Sequence, residues 1–518
     1  MRVAGLACAA LCAVLLGACG SDSPTATVAT STAPGTLIYD PPLRVASLDA
    51  FTLGSQLGAT ATGQELLQLA GAPQCGVDFY YIKYYTLGGA GETTTASGAL
   101  MIPTGSAAQC AGSRPIVLYA HGTTTDKNYN IADITGTLNP ADAANGGQNS
   151  AYAESALMAA TFAAQGYIVV APNYAGYDIS TLPYHPFLNA AQQSGDMIDA
   201  LTAARTALPH SFTPATVDSG QLFITGYSEG GFVAMATNKA LQGQGKTVTA
   251  AAPASGPYAL EAFGDAVFYG EVNIDSTVFA PLITTSYQKA YGNIYTQTTD
   301  VYEPAFATGI DTLLPSTTPI GTLIADGKLP ETALFSNTPP DTGNAALNMV
   351  LAPNPNPPFS LGFGANNLIT SPYRISYVED ALANPDGAVP TPQAGVPLAA
   401  SPKQTLRIAF KTNDLRSWTP MNPLLMCGAD GDPTVFYSVN TETMAAFWTP
   451  EVSAGLVSTL DLAATPGAGD PFAPLQLAFQ KYYASLVASE GEAAAVASYH
   501  GSALPFCIVA ARSFFGAF

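Results

Sequence analysis

The sequence predicts an α/β fold built on a doubly wound, mostly parallel sheet, with a long insertion. Short apolar runs alternate with helix-patterned segments over residues 37–257, and this βαβ order favours parallel strands covered by helices. The alternation stops over residues 258–401, which are rich in proline and glycine, and resumes over 402–518. A chain of 518 residues with 48% hydrophobic content also exceeds what one ordinary core needs. We therefore expect two core parts with an inserted cap, or lid, between them.

The first 18 residues have the pattern of an export signal. Arg2 precedes an apolar stretch that is too short to span a bilayer comfortably. The small residues Gly17 and Ala18 before Cys19 resemble a lipoprotein cleavage site, and this resemblance implies cleavage before Cys19 and acylation of its thiol. An ordinary signal peptide with a chance cysteine is the alternative. Residues 19–36, rich in Ser, Thr, Ala and Pro, are expected to be a flexible tether.

The first half of the core contains successive strand and helix patterns. Two β-rich runs flank a Gly-rich turn and predict an antiparallel start to the sheet. The predicted elements, in chain order, are strands Val77–Thr86, Thr93–Ile102 and Pro115–Ala120, helix Ala151–Gln165, strand Gly166–Pro172 and helix Ala190–Leu208. Each helical pattern separates two strands, as a parallel sheet requires.

The segment Leu222 to Ala234 contains the strongest functional signal. An apolar run of strand length enters Gly226, Ser228 follows, and Gly230 opens a helix-patterned stretch. This is a G-x-S-x-G nucleophile elbow, in which a sharp strand-to-helix turn exposes a serine. Glycines are expected at its flanks because a Cβ there would collide with the neighbouring strand or helix. The pattern predicts Ser228 as a nucleophile.

The partners of Ser228 follow from chain order. On a strand-turn-helix elbow the acid and then the histidine come after the serine, and His500 alone among the four histidines satisfies this order. It lies in a stretch predicted to be a loop, and a surface histidine is the alternative. For the acid, Asp432 and Asp430 both follow the apolar strand that ends at Gly428. Asp432 is preferred because Pro433 would stiffen its turn, although either aspartate can be a turn residue.

A second strand supplies the expected oxyanion hole. The apolar run that ends at Ala120 is followed by His121 and Gly122, where backbone N–H groups would face the nucleophile. The N–H of Thr123, or that of Gly122, is expected to act together with the N–H of Glu229. Because His121 precedes Ser228 in the chain, it is not expected to be the catalytic base, and we expect it to orient the loop instead.

Together these motifs resemble the secreted lipase and esterase branch of the α/β-hydrolase superfamily, close to bacterial secretory lipases, over about residues 77–518. The resemblance implies an α/β-hydrolase fold and a serine hydrolase acting on carboxylic esters of small molecules or lipids, with the triad Ser228, Asp432 and His500 and no cofactor. Glu229 departs from the pattern, since relatives often carry a neutral residue there. A serine peptidase of the same fold, or a non-enzymatic surface lipoprotein, is the alternative.

Cysteines and charge complete the expectations. Four of the seven cysteines remain after Cys8, Cys12 and Cys19 are set aside, namely Cys75, Cys110, Cys427 and Cys507. Three pairings are possible, and proximity in the chain favours Cys75–Cys110 and Cys427–Cys507.

With 37 acidic and 17 basic residues, nucleic-acid binding is not expected, and no metal-ligand motif is evident. We expect an exported monomer, lipid-anchored at the cell envelope (the outer membrane in a Gram-negative host) or secreted.

Overall fold

A nine-stranded sheet forms the centre of the molecule. The computed structural model describes residues 26–138, 150–211 and 216–518. The strands of this sheet, in chain order, are Leu43–Leu48 (β1), Gly76–Leu87 (β2), Thr93–Thr104 (β3), Gly112–Ala120 (β4), Ile168–Pro172 (β5), Thr216–Tyr227 (β6), Ala250–Ala254 (β7), Leu424–Gly428 (β8) and Val457–Asp461 (β9). The signal segment and Cys19 lie outside the described residues.

The strand order confirms the predicted doubly wound sheet. Across the sheet the order is β9-β8-β7-β6-β4-β5-β3-β2-β1. Strands β4 to β9 run parallel, while β1, β2 and β3 form an antiparallel edge. Strands β5, β7 and β8 are buried along their whole length, as expected for parallel strands covered on both faces. The order reverses at β4, and such a reversal leaves a crevice at the carboxyl ends of the strands.

The helices surround this sheet or belong to the insertion. In chain order they are Ala50–Gly58 (α1), Ala61–Ala70 (α2), Tyr152–Thr161 (α3), Ala190–Ala207 (α4), Glu229–Gly243 (α5), Leu260–Tyr269 (α6), Ser276–Tyr291 (α7), Pro304–Ala307 (α8), Ile320–Ala325 (α9), Ala345–Leu351 (α10), Ser371–Ala383 (α11), Thr405–Asn413 (α12), Thr443–Trp448 (α13), Ala473–Glu490 (α14) and Glu492–Phe515 (α15). Helices α4 and α5 pack against each other and the sheet, while α15 packs on β6, β7 and β8 and on α2 and α3. Helix α15 is long and apolar enough to cross a membrane, yet half of its most hydrophobic 18-residue stretch is buried inside the protein. Its packing on the sheet explains why the helix is apolar.

The described end of the expected tether lies along the core. Residues Thr27–Val28 pair with Tyr39–Asp40 in a small antiparallel ladder. The N–H of Gly35 also donates to the carbonyl of Tyr85 on β2 at 2.8 Å. Residues 26–36 are therefore attached to the sheet edge, which differs from the flexible tether expected from their composition.

The insertion consists mainly of helices and extends beyond its predicted end at residue 401. Helices α6 to α12 all lie between β7 and β8, and α12 packs on α6 and α7. Two buried arginines hold this region together. Arg407 on α12 pairs with Asp265 on α6 at 2.7 Å and with Asp380 on α11 at 2.9 Å. Arg416 pairs with Asp386 at 2.6 Å and with Asp414 at 2.9 Å. Both guanidinium groups are fully buried, and each is paired on two sides, as a buried charge requires.

Candidate active site

Ser228 occupies a strained turn between β6 and α5. Its backbone has φ 61° and ψ −126°, a conformation that residues with a side chain rarely adopt. The surroundings hold it there, because its N–H donates to the carbonyl of Ala254 on β7 at 3.0 Å and its own carbonyl accepts from Phe232 at 3.2 Å. The turn leaves the serine at the carboxyl edge of the sheet, where the strand order reverses.

The glycines around the elbow are required by close backbone packing, as the sequence predicts. A Cβ at Gly226 would lie 2.5 Å from the carbonyl oxygen of Ala120, and one at Gly230 would lie 2.0 Å from the same atom. At Gly231 a Cβ would lie 2.1 Å from the carbonyl oxygen of Ala254. Strands β4 and β7 can therefore approach the elbow this closely only because residues 226, 230 and 231 have no Cβ.

The structure brings Asp432 and His500 together. Oδ2 of Asp432 lies 2.6 Å from Nδ1 of His500. The other carboxylate oxygen accepts the N–H groups of Thr434 at 2.9 Å and Val435 at 3.1 Å. The Asp432 side chain is only 1% exposed. These contacts hold the carboxylate in one orientation and make Nδ1 the proton-bearing nitrogen of the neutral ring, with Nε2 left as the acceptor.

Asp430, the alternative acid, has a different environment. It is exposed, and its side chain accepts the N–H of Gly431 at 3.0 Å. Its carbonyl accepts the hydroxyl of Tyr499 at 2.6 Å. Asp430 is therefore a turn residue that anchors the loop, and Asp432 is the aspartate bonded to the imidazole.

His500 lies within helix α15, and the prediction of a loop at this position was wrong. The helix runs without interruption through Gly501, because packing of α15 on the sheet outweighs the weak helix preference of a single glycine. The hydroxyl of Tyr227, at the end of β6, donates to the carbonyl of His500 at 2.6 Å. Burial raises the pKa of Tyr227 well above its ordinary value, helped by the nearby Asp432 carboxylate, so the phenol stays neutral and able to donate. Among the described residues Nε2 of His500 has no hydrogen-bond partner, which leaves it free to accept a proton.

The two expected oxyanion donors belong to residues near the serine. Glu229 is the first residue of α5, and Thr123 and Glu229 line the same cavity as Ser228. Gly122 comes close to the serine, since a Cβ on it would lie 3.8 Å from Cβ of Ser228. Its N–H, however, donates to Oε1 of Glu154 at 3.3 Å. Of the two loop positions left open by the sequence, Thr123 is therefore preferred, because the Gly122 N–H already donates to Glu154.

His121 is buried beneath this loop. Its ring stacks between those of Tyr129 and Tyr174, with centroids 4.3 Å and 4.1 Å away. Nδ1 lies 2.7 Å from the carbonyl oxygen of Gly122, and Nε2 lies 3.2 Å from that of Asn173. The ring is inaccessible to solvent and lies close to a backbone carbonyl oxygen on each side, which fits the expected role of orienting the loop.

The Glu229 side chain takes part in a contact that the sequence did not predict. Its carboxylate is buried, and Oε1 lies 2.6 Å from Nε2 of His185 and accepts from Nε2 of Gln193, also at 2.6 Å. Both side chains of the His185–Glu229 pair are fully inaccessible to solvent. The two residues are 44 positions apart, and no local pattern marks His185 as a partner.

An apolar cavity opens from the serine into the insertion. The empty space within it and in the open solvent at its entrance is about 840 Å³. Its walls come from the core and from α6, α7 and α12, and the apolar side chains that line it include those of Phe187, Leu260, Phe263, Val267, Phe268, Phe279, Ile283, Leu406, Phe410 and Val435. Of the lining residues only Glu229 carries an ionisable carboxyl or amino group, and its carboxylate is paired with His185. The cavity therefore suits an apolar group.

Both predicted disulfides are present in the structure. Cys75 pairs with Cys110, and Cys427 pairs with Cys507. The second bond joins the end of β8, which leads to Asp432, to the helix that carries His500. Within the described ranges, no group of three or more His, Cys, Asp or Glu residues is arranged to hold a metal ion.

Comparisons with known proteins agree on the fold. Residues 153–289, which include the elbow, match the prolyl oligopeptidase family. The rice cell wall degrading esterase LipA from Xanthomonas oryzae is 24% identical, with a TM-score of 0.61 over 88% of this chain and 98% of that chain. A protein from Legionella pneumophila whose assignment as a hydrolase is provisional is 19% identical, with a TM-score of 0.60 over 93% and 97% of the two chains. A search of the curated proteins found no match. The chain has the α/β-hydrolase fold.

Proposed function

We propose that this protein is a serine hydrolase that cleaves carboxylic esters with an apolar acyl group. The observation that carries the proposal is the strained Ser228 elbow in the wall of an apolar cavity, at the same sheet edge as the bonded pair Asp432–His500. A nucleophile, a base oriented by a carboxylate and flanking backbone donors are the components that acyl transfer needs.

Each residue has a defined role in the proposed mechanism. Nε2 of His500 takes the proton of Ser228 as its Oγ attacks the acyl carbon, and it then returns that proton to the leaving alcohol. Asp432 holds the ring in the tautomer that leaves Nε2 as the acceptor and stabilises the imidazolium. The N–H groups of Glu229 and Thr123 stabilise the oxyanion. Water then releases the acid from the acyl-enzyme by the same steps.

A serine peptidase is the second candidate, favoured by the family match over residues 153–289. A peptide brings polar amide groups and, near a terminus, a charge. Their burial without partners is unfavourable, and the cavity offers mainly aliphatic and aromatic side chains. The ester assignment is therefore preferred. Assay of a nitrophenyl ester series beside an aminoacyl anilide separates the two activities, and faster cleavage of the anilide would reverse the preference.

The test of the nucleophile and the base uses two substitutions and a matched control. Ser228→Ala and His500→Ala should each lower ester turnover by about 10⁴- to 10⁶-fold, because triad members act as a unit. Ser219→Ala, an exposed serine on the same strand, should leave the rate unchanged. Near wild-type turnover in either site variant, with an intact far-UV circular dichroism spectrum, would contradict the mechanism. Absence of ester turnover in the wild type would instead favour a non-enzymatic surface protein.

Export and lipid anchoring through Cys19 belong to the same proposal. Two disulfides support an oxidising compartment. A diacylated Cys19 would hold the enzyme at the cell envelope as a monomer. Cys19→Ala should move the activity from the membrane fraction to the soluble fraction, and mass spectrometry of the mature N-terminus should detect the lipid. Recovery of an unmodified N-terminus at a position other than Cys19 would indicate an ordinary signal peptide.

A further inference from the structure

A buried side-chain pair lies directly behind the expected oxyanion hole. Glu229, whose N–H faces the reacting carbonyl in the proposed mechanism, turns its carboxylate away toward His185 at 2.6 Å. The imidazole of His185 is bonded on its other side, with Nδ1 2.8 Å from the carbonyl oxygen of Ala175. Neither side chain reaches solvent. The triad does not use this pair.

Proton counting shows that the pair is electrically neutral. A carbonyl oxygen can only accept, so Nδ1 of His185 must carry a proton that it donates to Ala175. The 2.6 Å contact between Nε2 and Oε1 of Glu229 then needs one shared proton. Whether that proton resides on the ring or on the carboxyl, the net charge of the pair is zero. A bare carboxylate in this place would repel the negative charge that develops on the substrate oxygen.

Aromatic contacts extend from His185 to the opposite wall of the oxyanion hole. The ring of Tyr177 lies 4.7 Å from that of His185, and the ring of Tyr174 lies 5.7 Å away in a stacked orientation. The Tyr174 hydroxyl donates to the carbonyl of His121 at 3.1 Å, and that of Tyr177 donates to the carbonyl of Thr124 at 2.7 Å. These carbonyls flank the Gly122–Thr123 segment. One imidazole thus contacts the supports of both expected oxyanion donors.

We propose that His185 is a positioning residue for the oxyanion hole. It neutralises Glu229 and fixes the side chain of the residue that supplies one donor, and through Tyr174 and Tyr177 it supports the loop that supplies the other. This inference depends on the proposed ester hydrolysis. It predicts that His185 acts on the transition state, where the oxyanion exists, and hardly on ground-state binding.

The experiment compares three variants in the full-length protein. His185→Gln leaves a buried, uncompensated carboxylate and should lower kcat by about 10²- to 10³-fold with KM within about threefold. Glu229→Gln removes the charge but keeps the shape, and should lower kcat by about 10-fold. The double variant should match Glu229→Gln, so that the second substitution restores activity to the first. Affinity for an alkyl trifluoromethyl ketone, which forms a hemiketal oxyanion with the serine, should follow kcat in all three.

A control and the contrary outcomes make the test specific. Glu261→Gln alters another fully buried carboxyl group with one unpartnered oxygen, bonded to the N–H of Ala399 in the insertion, and should leave kcat within about twofold. A double variant slower than His185→Gln, or ketone affinity unchanged while kcat falls, would overturn the inference. If His185→Gln does not fold, the double variant still decides, since a kcat about 10²-fold below that of Glu229→Gln would refute charge compensation. Absence of ester turnover in the wild type would instead refute the proposed function.

Discussion

Removal of the Cys427–Cys507 disulfide should reduce turnover as well as stability. The bond closes a loop of 80 residues, and Cys75–Cys110 closes one of 35. In the chain-entropy model these loops correspond to about 4.5 and about 3.8 kcal/mol of stabilisation at 25 °C. The two bonds should therefore stabilise the fold to nearly the same extent. Only Cys427–Cys507 connects the strand leading to Asp432 with the helix that carries His500.

The difference between the two bonds should consequently appear in the rate. A displacement of about 1 Å between catalytic groups can cost about 10²-fold. We expect Cys427→Ala/Cys507→Ala to lower kcat by about 10- to 10²-fold at a temperature where it remains folded. Cys75→Ala/Cys110→Ala should lower the melting temperature by a similar few degrees, because unfolding entropy scales with chain length, while kcat stays within about twofold.

The assay pairs differential scanning calorimetry with ester kinetics on all three proteins. Peptide mapping without reduction checks the two pairings directly. An equal loss of kcat in the two double variants would show that kcat falls because the whole fold is less stable. It would contradict a specific role of the Cys427–Cys507 bond. Equal melting temperatures of the two double variants, combined with a loss of kcat confined to Cys427→Ala/Cys507→Ala, would show that the Cys427–Cys507 bond holds Asp432 and His500 in register.

Three further predictions address the acid, the cavity and pH. Asp432→Asn should lower the rate by about 10⁴-fold through the wrong imidazole tautomer, whereas Asp430→Asn should be mild, and the reverse ranking in steady-state kinetics would reassign the acid. Val267→Phe, which adds a larger side chain to the cavity wall, should shift the substrate preference toward shorter acyl chains and leave the hydrolysis of acetate esters unchanged. Ile408→Phe, on the exposed side of α12, should not change the chain-length preference. Identical chain-length profiles in the two variants would exclude the cavity as the acyl site. Burial raises the pKa of Glu261 to about 8, aided by repulsion from Asp386 and Asp265. Between about pH 5 and 8 the folded protein therefore retains a proton that the unfolded chain has lost. The free energy of unfolding should consequently fall as the pH rises through this range. Glu261→Gln should flatten that decline in urea titrations, and an unchanged slope would contradict the assignment.

Local patterns in the sequence were sufficient to predict the sheet and the elbow. The strand and helix periodicities are set by neighbours within a few residues. The need for glycine at positions 226 and 230 follows from the sharp turn itself, which brings the backbone of other strands close. The order of acid and histidine along the chain also identified His500, and Pro433 in the acid loop favoured Asp432 over Asp430 as its partner. These features could be predicted because each is set by short-range geometry or by the order of elements in the sheet.

Other features depend on contacts between distant parts of the chain. His500 lies in a helix although the neighbouring Gly501 is a poor helix former, because packing of α15 on β6, β7 and β8 outweighs that local preference. The His185–Glu229 pair joins a loop to the first turn of α5, and no periodicity relates the two positions. The attachment of residues 26–36 likewise depends on β2, which lies about 50 residues further along.

The buried arginines of the insertion restrict how a substrate can reach Ser228. Helices α6 and α12 form part of the cavity wall, and Arg407 joins them through Asp265. To swing these helices apart would leave a guanidinium and carboxylates unpaired in an apolar interior, at a cost of about 3 to 5 kcal/mol for each broken pair. Entry by separation of α6 from α12 is therefore disfavoured. Access to the serine should instead involve side chains and turns at the cavity mouth, with α6, α11 and α12 moving as one unit.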